Sequence, residues 1–172
     1  PWYPAPIDAS GAPIMRVLSL EVNNVKGWRF VGSGNPQVSD ASTDIVWVTP
    51  RPVDGMALVG NKHVVFDSTV ETTTGDVKVS VHLAPEHEDK AEFYLDAASD
   101  YLHLYTPLLG PYPFEQFTIV ENFFSSGFAY PGFTVLGPRV VGMAPKSLAP
   151  GYLDHELSHN WWGKGVYVDR SE

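Results

Sequence analysis

Apolar and polar residues alternate with period two through much of the first 85 residues. In Val77-Lys-Val-Ser-Val-His-Leu, the apolar Val77, Val79, Val81 and Leu83 share one face, with Lys78, Ser80 and His82 on the other. Comparable β-branched or apolar stretches predict strands over residues 15–22, 43–48, 56–60, 64–69 and 77–84. Turn-forming stretches such as Gly32-Ser-Gly-Asn-Pro and Thr74-Gly75 separate them. Near Pro85 the texture changes. Ala91, Tyr94, Leu95, Ala98, Tyr101, Leu102 and Tyr105 recur at helical spacing and predict a helix over 88–105. Glu86, Glu88 and Asp89 suit its positive end, and Pro107 and Gly110 stop it. Residues 117–121 then read as a short strand and 127–136 as a Gly/Pro-punctuated strand or hairpin. A last helix is predicted to start near Pro150, where a first-turn proline is tolerated, and to end near Gly163. The fold class is α+β, with a β-rich part over 1–85, a mixed part over 86–172 and a boundary near residue 85.

Composition narrows the partners. With 44% apolar residues in 172, a real core can form. Twenty acidic against 11 basic residues give a charge of −9, and the basic residues form no run, which argues against nucleic acid. No apolar run approaches a membrane span, so no transmembrane segment is expected. The absence of cysteine removes disulfides and thiolate metal sites.

The chemistry concentrates in His155-Glu-Leu-Ser-His159. On a helix, residues four apart lie one above the other, so both imidazoles project from one face with Glu156 beside them. Leu153, Leu157 and Trp161 fall on the opposite side. Two imidazoles on one face suit Zn2+, and the neighbouring carboxylate can act as general base toward water. Such a site takes three protein ligands; spacing assigns neither Asp169 nor Glu172 as the third. His63, His82, His87 and His103 show no ligand spacing and read as structural or surface residues.

Beyond this pattern, His155-Glu-Leu-Ser-His-Asn-Trp-Trp-Gly163 resembles the His-Glu-x-x-His-x-Trp-x-Gly helix of aminopeptidase N-type zinc peptidases, which are gluzincins. Pro111-Tyr-Pro-Phe-Glu-Gln-Phe-Thr-Ile-Val120 is similar to the turn and strand preceding that family's substrate strand. Gly127-Phe-Ala-Tyr-Pro131 occupies the place of its Gly-x-Met-Glu-Asn motif. The resemblance implies the end of a saddle-like N-terminal β-domain (1–85), followed by the first part of a thermolysin-like zinc peptidase domain (86–172). It further implies Zn2+ on His155 and His159, Glu156 as the catalytic base, and a third ligand beyond Glu172. Gly127, Phe128, Ala129 and Tyr130 become the substrate-binding strand, the substrate a peptide and the reaction peptide-bond hydrolysis. One departure matters. The family's amine-gripping glutamate is replaced by Tyr130, and a phenol carries no charge to pair with an ammonium at neutral pH. Peptidase is therefore the expected class rather than strict aminopeptidase, with a catalytically inactive binding or scaffold protein as the alternative.

Overall fold

The computed structural model describes residues 2–23, 26–38, 45–125, 127–148 and 150–167. The candidate ligands Asp169 and Glu172 lie outside the described residues. Ten strands are described. Three of them, β1 (Ser19–Val22), β3 (Asn35–Val38) and β4 (Ile45–Val48), form a small antiparallel sheet in the order β1-β4-β3. β2 (Arg29–Gly32) pairs antiparallel with β5 (Leu58–Asn61) as a two-stranded ribbon. β2 and β3 were not expected from the sequence. Four-residue strands around a Gly-Ser-Gly-Asn-Pro stretch carry too little periodicity to register.

The larger sheet has the order β6-β7-β8-β10-β9, with β6 (Val64–Thr72), β7 (Gly75–Leu83), β8 (Gln116–Glu121), β9 (Gly127–Tyr130) and β10 (Phe133–Leu136). β7, β8 and β10 run parallel, while β6 and β9 are antiparallel edges. A parallel pair needs a crossover, and α1 (Ala91–Leu109) supplies it between β7 and β8. A 3-10 turn over Pro85–Lys90 leads into that helix, which continues through Pro107 and stops at Gly110, where φ is +91°. The expected boundary near residue 85 thus falls inside a hydrogen-bonded sheet, with β6 and β7 before it and β8 to β10 after it.

Alternation along the strands decides what covers each face. Val77, Val79, Val81 and Leu83, joined by Phe117 and Ile119, pack with Tyr94, Ala98 and Leu102 of α1 in the main core. Val120, Phe133 and Val135 point the other way, against Val31, Ala57 and Val59 of the ribbon region. Two further helices follow the sheet: α2 (Pro138–Gly142), absent from the sequence reading, and α3 (Leu153–Ser158). α3 is shorter than expected. Gly151 at φ +109° and Tyr152 at φ −125°, ψ −81° are not helical, so the helix begins at Leu153 rather than Pro150.

Candidate active site

Six residues make a weak helix by themselves, so packing must hold α3 in place. Leu153 and Leu157 are fully buried in the main core, each burial contributing roughly 1.5–3 kcal/mol. Trp161 joins them, donating from Nε1 to the carbonyls of Gly110 and Pro111 at 3.1 Å and meeting the ring of Tyr112 edge-on at 5.2 Å. The Pro111–Phe114 turn is therefore the seat of this helix. Asn160, fully buried, accepts from the Gly132 N–H at 2.9 Å and ties the end of α3 to the β9–β10 turn.

The outward face carries the polar residues. His155 Nε2 and His159 Nε2 stand 3.1 Å apart, their rings perpendicular with centroids 4.6 Å apart. His159 Nδ1 lies 3.3 Å from the Trp162 carbonyl, so this nitrogen donates and Nε2 presents its lone pair. Two nitrogens on one zinc at about 2.0–2.1 Å span about 3.3 Å in tetrahedral geometry, and the observed pair fits that span. Among the described residues no third His, Asp or Glu completes a cluster. Glu156 sits beside the pair. Burial raises its carboxyl above the ordinary range, and the two imidazoles partly offset this.

Across from Glu156 lies Gly127, the first residue of β9. A Cβ at Gly127 would sit 3.3 Å from both Glu156 Oε1 and the Tyr152 hydroxyl, so glycine is what lets the edge strand approach the helix. Of the four strand residues singled out in the sequence, Gly127 is the one brought to the carboxylate. Phe128 and Tyr130 alternate to the opposite face, where Tyr130 stacks on Phe133 at 5.0 Å. Tyr152 escaped the sequence reading, since nothing in its spacing separates it from a helix-start residue. The role of Asn160 was equally hidden, because its partner is 28 residues away.

The remaining histidines sit apart. His63 Nε2 donates to the Glu121 carbonyl at 2.9 Å, while His87 Nδ1 pairs with the Glu121 carboxylate at 2.7 Å. His82 Nε2 reaches Ser80 Oγ at 3.0 Å, and Ser80 in turn donates to Asp67 at 2.7 Å. Glu121 thus has its carboxylate engaged by His87 and by the Ala84 N–H at 2.9 Å.

No family model matches the chain. Human endoplasmic reticulum aminopeptidase 1 is 31% identical over 114 residues, which cover 60% of this chain and 12% of that protein. A two-domain M1 zinc metallopeptidase, solved with L-arginine bound, superposes with a TM-score of 0.57 at 15% identity, covering 87% of this chain and 34% of that one. The chain spans about an eighth of the first relative's length and about a third of the second's. The mixed α+β fold and the aligned sequence make this chain similar to part of an M1 zinc metallopeptidase in fold and to part of an aminopeptidase in sequence.

Proposed function

We propose that this chain carries the general base, two zinc ligands and the substrate strand of a zinc-dependent peptidase. The observation that carries the reading is the pair of imidazole nitrogens 3.1 Å apart beside Glu156, facing the glycine of an edge strand. His155 and His159 would hold Zn2+, which when bound acidifies water and polarises a scissile carbonyl. Glu156 then accepts a proton from the attacking water and passes it to the leaving amine. β9, last in its sheet among the described residues, offers backbone groups to an extended peptide, with Gly127 permitting close approach.

The catalytic unit begins, on this reading, between Asn61 and Val64, because β6 and β7 belong to the same sheet as β9 and β10, which lie against α3. The test uses the full-length gene product. It should hold one zinc and cleave peptides, and His155→Ala should lose both. Zinc bound without turnover of any peptide would favour the inactive binding protein, a reading supported by Tyr130 turning away from Glu156 to stack on Phe133.

A further inference from the structure

The turn between β9 and β10, Pro131-Gly132, is held from three sides. The Gly34 N–H, in the turn between β2 and β3, donates to the Pro131 carbonyl at 2.8 Å. The Thr118 N–H of β8 donates to the Gly132 carbonyl at 2.9 Å. The third bond comes from the helix side, where Asn160 Oδ1 accepts from the Gly132 N–H at 2.9 Å. The first two bonds tie the turn to the ribbon region and to its own sheet. The Asn160 bond ties it to the residue that directly follows His159.

An N–H donor can meet only the oxygen of the amide, so this contact fixes which way the Asn160 side chain is turned. Asn160 is fully buried, and its Nδ2 has no hydrogen-bond partner among the described residues. A buried donor left unpaired is costly, and an apolar side chain of similar size would fill the space without that cost. What the amide contributes is therefore its oxygen, and the geometry gives that oxygen a task. β9 meets the end of the chain's histidine helix at two places, Gly127 against Glu156 Oε1 and the turn against Asn160. One contact leaves a strand free to pivot, whereas two fix both its distance and its direction. Gly132 has little room of its own: its φ is +84°, and a Cβ there would lie 3.1 Å from the Gly34 carbonyl oxygen.

We infer that Asn160 is a positioning residue. By holding Gly132 it sets the height and direction of β9 against Glu156 and the imidazole pair, and so of a peptide paired to that strand. The inference rests on the peptidase reading and adds to it the side chain that aligns strand with helix.

The test uses the full-length gene product and compares two variants. Asn160→Leu keeps the volume and removes the acceptor, while Asn160→Asp keeps an oxygen in the same place. By hydrogen exchange and mass spectrometry, the amides of residues 127–132 should exchange about tenfold or more faster in Asn160→Leu, with those of β6 and β7 unchanged. With rates expressed per bound zinc, kcat should fall about tenfold and KM stay within about threefold, since a displaced strand still pairs with peptide but misplaces its carbonyl. Asn160→Asp should restore most of both readings. Faster exchange across the whole sheet, or kcat unchanged in Asn160→Leu, would overturn the proposal, because the amide would then serve packing alone. Should Asn160→Leu not fold, Asn160→Ser takes its place, its hydroxyl one atom too short to reach Gly132. A parent protein that cleaves no peptide would count against the peptidase reading, while local exchange in the variants still decides whether Asn160 holds the strand.

Discussion

Glu156 and Gly127 show how much turns on single side chains. Glu156→Gln removes the proton acceptor but keeps the shape. The full-length variant should retain zinc by metal analysis while kcat falls by about 10²- to 10⁴-fold. Gly127→Ala tests the strand side of the same contact. Its Cβ, 3.3 Å from both Glu156 Oε1 and the Tyr152 hydroxyl, forces those groups to give by a few tenths of an ångström. A displacement of that kind should cost roughly tenfold in kcat with the unfolding midpoint little changed. If Gly127→Ala were fully active, the close approach of β9 to the carboxylate would not matter to the chemistry. Residue types alone marked Glu156, because His-Glu-x-x-His names it by position. Tyr152 became visible only once the fold had set its hydroxyl against Gly127.

At the scale of elements, α3 depends on what lies behind it. Six residues do not sustain a helix in water, and its regularity comes from Leu153, Leu157 and Trp161 docking against the Pro111–Phe114 turn and α1. Leu157→Ala should lower stability by about 2–5 kcal/mol in chemical denaturation. It should also weaken zinc retention against a chelator, since the two imidazoles share that helix. Loss of stability with metal affinity unchanged would mean that the His155–His159 spacing survives without its packing. The apolar back of α3 was legible from spacing. Its true length was not, because Gly151 and Tyr152 leave helical geometry for reasons of local backbone that the hydrophobic pattern does not record.

Across the whole molecule, the junction between the five-stranded sheet and the β2–β5 ribbon should be sensitive to acid. His82 is buried there beside His63, with ring centroids 6.0 Å apart. Burial, then the neighbouring His63 and the charge of Arg29, hold its imidazole down at about 4, against the opposing pull of Asp67. Burial likewise lowers His63, opposed by its bond to Glu121. Because the folded form binds a proton less readily than the unfolded chain, this stability is complete above the ordinary histidine value of 6.5. It declines as pH falls from there toward about 4. For His82 alone the drop corresponds to on the order of 3 kcal/mol. Denaturant titrations at pH 7 and pH 5 should show the decline, and His82→Gln should flatten it. An equally steep decline in His82→Gln would place the acid sensitivity elsewhere.

The sequence by itself determined the local pattern. Two histidines four apart with a glutamate between them put two imidazoles and a carboxylate side by side on any helix, and the valine alternation of β7 defines which side enters the core. These are properties of neighbouring residues, set by helix and strand periods. The tertiary structure alone decided which distant groups meet. Sheet order carried β6 and β7 across the expected boundary at residue 85, because hydrogen bonding between strands is blind to a change of texture along the chain. Long-range packing brought Gly127 to Glu156, Asn160 to Gly132 and Phe128 into a groove with β5. No period along the chain encodes pairings between residues 28 to 70 positions apart, so these had to wait for the fold.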